Sequence, residues 1–302
     1  MTPNEFLMAG EGPNARTGVL LIHGLSGTPM EMRILARGLN AAGFTVFAVQ
    51  LAGHCGTMDD LLNSSWAEWL GSAREGLDWL GTQVDRVFVG GLSMGSVLAL
   101  ALAEERPAQV VGVLALSTTF RHDGWSMPVY TRLSFLLPLL RSLGIGRHRQ
   151  FMELPPYGIK DEGLRERVVG QMHGGDSAAA GLPGNPWWSV AELQGLSAHV
   201  RRRLDRVRSP CLVVHARHDD IASMSNALDI QQRVRLAPVE LLLLDDCYHM
   251  ITIDRERRTV IARCVEFMQQ HAPARPAASA APETAAGPDT ERARARTAGS
   301  PA

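Results

Sequence analysis

The sequence contains no long apolar run and no large excess of charge of either sign. No stretch approaches the roughly twenty consecutive apolar residues that a membrane-spanning helix needs. Thirty Lys and Arg residues stand against thirty-one Asp and Glu residues, which leaves a formal net charge of −1. Such a balance gives no overall attraction to nucleic acid or to an anionic membrane. We therefore expect a small-molecule partner, no nucleic acid, no stable membrane insertion, and a monomer or small homo-oligomer.

Cysteine is scarce, and a secretory signal is absent. The four cysteines have no C-x-x-C spacing, which favours reduced, buried thiols over a disulfide framework. Residues 1–5 show no basic stretch followed by an apolar one, as a signal peptide would. These absences predict a cytoplasmic protein. The cysteines are Cys55, Cys211, Cys247 and Cys264.

What the sequence does contain, from residue 19 onward, is an alternation of short apolar runs and longer amphipathic stretches. This alternation is typical of βαβ units around a parallel sheet, and almost continuously apolar runs are typical of strands covered by helices on both faces. The sequence therefore predicts an α/β fold with a mostly parallel central sheet. The predicted strands are 19–22, 44–51, 86–90, 110–116, 211–216 and 239–244, and the predicted helices are 31–42, 65–80, 94–105, 226–234 and 255–270.

The alternation is interrupted between residues 118 and 204 by a stretch rich in Pro, Gly, Trp and Met, with helical patterns but no convincing strand. An insertion of this kind predicts a mobile helical lid over the strand ends, with a plain structural excursion as the alternative. Residues 1–117 and 205–271 then form the core. From residue 272 the composition changes to Ala, Pro, Arg, Thr and Gly without an apolar face, which predicts a disordered tail over 272–302.

The motif Gly-Leu-Ser-Met-Gly at 91–95 carries the strongest chemical signal. It directly follows a predicted strand and directly precedes a predicted helix. That context is typical of a nucleophile elbow, in which a serine occupies a sharp strand-to-helix turn and the glycines avoid collisions with neighbouring backbone. Ser93 is therefore the predicted nucleophile.

A serine hydroxyl needs a histidine to take its proton and a carboxylate to orient that histidine. In proteins whose serine lies on such an elbow, the acid and then the histidine follow the serine along the chain. His249 lies just after the last predicted strand and is the predicted base. Two adjacent carboxylates follow strand 211–216, and we favour Asp219 over Asp220, whose alternative role is a helix cap or a solvent-facing turn. His215 and His218 precede the acid and are predicted to be structural.

Acyl transfer also needs N–H donors aimed at the developing oxyanion. One predicted donor is the backbone N–H of Met94, the residue after the nucleophile. The other is the N–H of Leu25, which has a glycine on each side in the loop 23–27.

Together, four segments resemble the small bacterial carboxylesterase and monoacylglycerol lipase family of the α/β-hydrolase superfamily. They are His-Gly-Leu-Ser-Gly at 23–27, the elbow at 91–95, Ala-Arg-His-Asp at 216–219 and Tyr-His-Met-Ile-Thr at 248–252. The resemblance implies a triad of Ser93, Asp219 and His249 with oxyanion donors on Leu25 and Met94. It also implies short- to medium-chain acyl esters or monoacylglycerols as substrates, and no cofactor.

Three alternatives remain open from the sequence. A serine aminopeptidase would share the elbow but needs a carboxylate for the substrate's amino group. An acyltransferase or perhydrolase would use the same triad with a different acceptor. A non-catalytic receptor would be expected to have a broken triad, whereas here every member has a candidate. The carboxylates available to an aminopeptidase are Glu153, Asp161, Glu162 and Asp176.

Overall fold

The computed structural model describes residues 1–173 and 181–272. Its centre is a seven-stranded sheet with the order β1-β3-β2-β4-β5-β8-β9. Every neighbouring pair is parallel except β1 and β3, so the predicted mostly parallel sheet is confirmed. The strands are β1 (Phe6–Met8), β2 (Thr17–Ile22), β3 (Thr45–Val49), β4 (Arg86–Leu92), β5 (Val110–Leu116), β6 (Gln150–Met152), β7 (Gly184–Pro186), β8 (Cys211–Ala216) and β9 (Val239–Leu244).

Helices cover both faces of this sheet because its strand residues alternate between two apolar layers. Leu20 and Ile22 point into one layer, whereas Val19 and Leu21 point into the other. Helices α3 and α4 contribute to the first layer, and α1 and α9 contribute to the second. The helices in the described ranges are α1 (Arg33–Ala41), α2 (Met58–Leu62), α3 (Trp66–Gln83), α4 (Met94–Glu105), α5 (Leu137–Ser142), α6 (Glu162–His173), α7 (Trp187–Arg201), α8 (Ser225–Arg233) and α9 (Arg257–His271).

The strand order reverses beside β2. The chain passes from β2 to β3 on one side of β2, and β4 then returns to its other side. The loops that leave β2 and β4 therefore diverge, and in open α/β sheets a crevice at the carboxyl ends of the strands at such a point is where ligands bind. This topology directs attention to the loop after Ile22 and to the residue after Leu92.

Two short strands were missed inside the insertion 118–204. β6 and β7 form an antiparallel ribbon in which Phe151 is paired with Asn185, so the prediction that this interval has no strand is wrong at these places. Each strand is only three residues long, too short to show an alternating pattern, and a proline ends β7. The last helix of the interval, α7, buries Leu193, Leu196 and Val200 in the same apolar layer as α4.

The remaining differences between the predicted and the observed strands lie at the two edges of the central sheet. β1 was not predicted, because a three-residue edge strand carries little pattern. β9 was predicted to be buried, but five of its six residues are only partly buried, since it has β8 as its one neighbour.

Cys211, Cys247 and Cys264 are buried as free thiols and Cys55 is partly buried. Among the described residues, no helix is long and apolar enough to cross a membrane.

Candidate active site

Ser93 occupies a strained turn between β4 and α4. Its backbone has φ 58° and ψ −116°, a combination that costs free energy for a residue with a side chain and is found at functional sites. A Cβ on Gly91 would collide with the backbone of Gly95, and a Cβ on Gly95 would collide with the carbonyl oxygen of Ile22. Both glycines are therefore required for α4 to begin this close to β2, and the turn has the geometry that the motif predicted.

The hydroxyl of Ser93 lies 3.0 Å from the Oγ1 of Thr119. Thr119 Oγ1 in turn donates to the carbonyl oxygen of Ser117 at 3.1 Å, so the proton between the two hydroxyls comes from Ser93. Thr119 was not recognised from the sequence, because a threonine three residues beyond a strand has no distinguishing pattern.

His249 and Asp219 form a buried, hydrogen-bonded pair, and His249 lines the same cavity as Ser93. Nδ1 of His249 lies 2.8 Å from Oδ2 and 3.0 Å from Oδ1 of Asp219, and each residue is 3% exposed. Burial by itself raises the pKa of Asp219, but the charge and hydrogen bond of His249 outweigh it and hold that pKa below its usual value. Burial likewise disfavours the imidazolium, yet the charge and hydrogen bond of Asp219 raise the pKa of His249. The pair is thus arranged to stabilise a proton on the imidazole.

Asp220 is neither a solvent-facing residue nor a helix cap, as the alternative role had it. It is fully buried, and its carboxylate accepts the N–H of His249 at 3.2 Å and the N–H of Gly158 at 3.0 Å. Burial raises its pKa. Asp220 therefore fixes the backbone of the His249 loop and ties it to the insertion, while Asp219 holds the ring.

The two predicted oxyanion donors come from different segments, Met94 from the residue after Ser93 and Leu25 from the loop after β2. Met94 is the first residue of α4, and the first four N–H groups of an α-helix have no acceptor within the helix. The loop that carries Leu25 makes a tight turn in which Gly27 N–H donates to the carbonyl of Gly24 at 3.2 Å. Leu25 lines the same cavity as Ser93 and His249.

That cavity, together with the open solvent at its mouth, comprises about 1210 Å³ of empty space. Among the residues that the structure describes, its wall is mostly apolar and includes no Lys or Arg. Three carboxyl groups line it, those of Glu31, Glu153 and Asp220. Burial raises the pKa of both Glu31 and Glu153 to about 7. The lining side chains include Leu25, Met127, Pro128, Phe151, Met152, Leu154, Ile159, Val168, Leu182, Leu193 and Met250.

Of the four carboxylates considered for an amino group, one lies in the cavity. Glu153 lines it beside Asn185. Asp161 directly precedes α6 and accepts the N–H of Leu164 at 2.8 Å. Glu162 lies in the first turn of that helix, and Asp176 lies outside the described residues. Glu31 was missed, because it reads as one of the polar positions of an amphipathic helix.

The chain matches the family model described as serine aminopeptidase, S33 (Hydrolase_4), over residues 13–256. It is 29% identical over 259 residues to a thermostable monoacylglycerol lipase of Bacillus sp. (strain H-257), an alignment that covers 86% of this chain and 93% of the lipase. It is 27% identical over 271 residues to a carboxylesterase of Bacillus subtilis (strain 168), covering 89% of this chain and 98% of the esterase.

Solved structures show the same similarity. A structure from work on the metagenome-derived lipolytic enzymes LipS and LipT has a TM-score of 0.71 and 27% identity, covering 88% of this chain and 97% of that one. The monoacylglycerol lipase of Paleococcus ferrophilus has a TM-score of 0.73 at 19% identity, covering 89% and 98%; at this identity the likeness concerns the fold. The chain belongs to the serine aminopeptidase S33 (Hydrolase_4) family of the α/β-hydrolase superfamily.

Proposed function

We propose that this protein is a carboxylic ester hydrolase that forms an acyl-enzyme on Ser93, with His249 as general base and acid and Asp219 as its orienting carboxylate. The observation that carries the proposal is that His249, joined to Asp219 at 2.8 Å, lines the same largely apolar cavity as the strained serine. The lipase and carboxylesterase relatives support this choice of substrate class.

The proposed reaction has two halves. Ser93 Oγ turns from Thr119 towards the imidazole and attacks the ester carbonyl as its proton passes to His249 Nε2. The N–H groups of Leu25 and Met94 stabilise the oxyanion. The tetrahedral intermediate collapses, the alkoxide leaves with the proton of His249, and the acyl group stays on the serine. A water molecule then attacks the acyl-enzyme with His249 as base, which releases the acid and restores Ser93.

The cavity wall supports an ester with an apolar acyl chain and a hydroxylated alcohol. Apolar side chains bind the acyl chain by burial. Glu153 and Asn185 are polar groups in that wall, and a carboxyl and an amide accept hydrogen bonds from hydroxyls such as those of a monoacylglycerol. An acyl group that carries a free carboxylate is disfavoured, because the described part of the cavity wall offers it no Lys or Arg.

A second candidate is hydrolysis of aminoacyl substrates, which the position of Glu153 and the family description favour. The positive charge of a substrate ammonium group next to Glu153 would lower the pKa of this carboxyl and favour its ionised form. Against it stands the raised pKa of Glu153, about 7, which leaves this carboxyl easily neutralised. An acyltransferase using the same groups would differ only in the acceptor of the acyl group.

We further propose that part of the interval 118–204 acts as a lid, because Met127, Met152 and Leu154 belong to it and line the cavity. The burial of Leu193 and Val200 in the core favours ending the lid before α7. A cytoplasmic location and a monomer or small homo-oligomer complete the proposal.

The first experiment compares Ser93→Ala with Ser96→Ala, a buried serine on the same helix whose hydroxyl lies 2.6 Å from Thr118 Oγ1. We expect Ser93→Ala to abolish p-nitrophenyl ester hydrolysis and labelling by a fluorophosphonate while thermal unfolding is unchanged. Ser96→Ala should cost about 1 kcal/mol of stability but keep both activities. More than a few per cent of wild-type activity in Ser93→Ala would contradict the proposed nucleophile.

The second experiment separates the substrate classes with Glu153→Gln and Glu153→Leu. A 1-monoacylglycerol, a p-nitrophenyl ester of the same chain and an aminoacyl anilide are assayed side by side. We expect Glu153→Leu to raise KM for the monoacylglycerol about tenfold through loss of a hydrogen bond to the substrate hydroxyl, with the p-nitrophenyl ester unaffected. An aminopeptidase would instead cleave the anilide best and lose that activity in both variants.

A further inference from the structure

Glu31 reaches back from the 3₁₀ helix Pro29–Met32 into the loop that follows β2. Its Oε1 accepts the backbone N–H of Gly24. Its Oε2 lies so close to Gly27 that a Cβ there would collide with it. One carboxylate thus contacts both ends of the turn 24–27, the turn that carries Leu25.

This carboxylate is close to the reacting serine. A Cβ on Gly24 would lie in ordinary van der Waals contact with both groups, 3.5 Å from Glu31 Oε1 and 3.6 Å from the Cβ of Ser93, so Gly24 lies between the two side chains. On the other side of the turn, the N–H of Leu182 donates to the carbonyl of Ser26 at 2.9 Å. The loop is therefore held between Glu31 and the insertion.

We propose that Glu31 is a positioning residue that fixes the direction of the Leu25 N–H towards the oxyanion; this inference rests on the proposed function. Gly24 directly precedes Leu25, and a glycine has little intrinsic preference for one backbone conformation. Without the acceptor on Gly24 N–H, the His23–Gly24 peptide is no longer fixed. The following Gly24–Leu25 peptide is then held through its carbonyl oxygen, which accepts the N–H of Gly27 at 3.2 Å, and its own N–H shifts away from the position that the oxyanion requires. Loss of one oxyanion donor typically lowers the rate about 10²–10³-fold.

The acceptor and the charge of Glu31 have separable effects. The charged or titratable groups that face it are Glu153, His249 and Cys55. Its charge raises the pKa of His249, after the larger contributions of Asp219 and Asp220. A glutamine keeps an oxygen that accepts from Gly24 N–H but carries no charge, whereas an alanine has neither.

The test therefore uses Glu31→Gln, Glu31→Ala and a control, Met30→Ala, on the same 3₁₀ helix. Met30 is 38% exposed. We expect Glu31→Ala to lower the pH-independent kcat about 10–100-fold with KM within about threefold, because the donor acts on the transition state. Glu31→Gln should stay within about fivefold of wild type by keeping the acceptor. Both should move the acid limb of kcat/KM to lower pH, and Met30→Ala should match wild type.

A tetrahedral mimic separates positioning from general damage. Affinity for a trifluoromethyl ketone should fall in Glu31→Ala by the same factor as kcat/KM, while ester binding in a Ser93→Ala background stays unchanged. If Glu31→Ala does not fold, Gly27→Ala displaces the same carboxylate from the other side and should also lower kcat.

Three results would overturn the inference: wild-type kcat in Glu31→Ala, equal damage in Glu31→Gln and Glu31→Ala, or unchanged affinity for the ketone in Glu31→Ala. A wild-type protein that cleaves no ester would overturn the proposed function instead.

Discussion

The carboxylates of Asp219 and Asp220 are neighbours in the sequence, yet they bond to opposite ends of one histidine. Asp219 Oδ2 lies 2.8 Å from Nδ1 of the His249 ring, and Asp220 Oδ1 accepts the His249 backbone N–H at 3.2 Å. Asp219 also accepts the N–H groups of Ile221 and Ala222. The first carboxylate therefore controls the protonation of the imidazole, and the second controls where its backbone lies.

This division predicts different losses for the two amide variants. Asp219→Asn should lower kcat about 10³–10⁴-fold, because the neutral amide neither holds the required tautomer nor stabilises the imidazolium. Asp220→Asn should lower kcat about tenfold at most and cost about 1.5–3 kcal/mol of stability, since an uncharged group replaces an acceptor of two buried N–H groups. Steady-state kinetics and urea unfolding of both variants measure these effects. Equal kcat losses, or a larger loss in Asp220→Asn, would show that Asp219 is not the catalytic acid.

The elbow glycines predict a contrast between two Gly→Ala substitutions. Gly95→Ala places a methyl group against the carbonyl oxygen of Ile22. Because this oxygen belongs to the backbone of a sheet strand and cannot move aside, the variant should lose about 3 kcal/mol of unfolding free energy and most of its activity. Gly71→Ala lies inside α3, where a Cβ meets no atom within 4 Å. It should stabilise the protein by about 0.5–1 kcal/mol and leave kcat unchanged. Chemical denaturation of both variants tests this, and a Gly95→Ala protein of normal stability would refute the close packing of β2 and α4.

The raised pKa of Glu153 predicts a pH-dependent effect on stability. Its pKa in the folded state is about 7 against an ordinary value of 4.5, so its contribution to stability is full below pH 4.5 and is lost as the pH rises through 7. Glu153→Gln removes this loss and should stabilise the protein by about 1–3 kcal/mol at pH 8 relative to its effect at pH 4.5. Free energies of unfolding from urea titrations at both pH values provide the measurement. A pH-independent difference would show that Glu153 keeps an ordinary pKa.

The sheet and the elbow were predictable because their signals are local. The runs at 110–116, 211–216 and 239–244 became strands with those bounds, since a continuous apolar run between turn residues specifies a covered strand. Likewise, the spacing of Gly91, Ser93 and Gly95 reflects collisions within one turn. By contrast, β6 and β7 are three residues each, and they pair across more than thirty residues of sequence that carry no matching pattern.

The sequence by itself determined which chemical groups are present and in which order, because the strand, the turn and the helix around Ser93 depend on neighbouring residues. It also placed His249 and an acidic pair after the right strands. Only the tertiary structure decided that Asp219 takes the imidazole and Asp220 the backbone, and that Glu31 lies against the loop of Leu25. Those assignments depend on distances between segments that are far apart in the chain. Tertiary packing determines these distances, and the local sequence pattern contains no information about them.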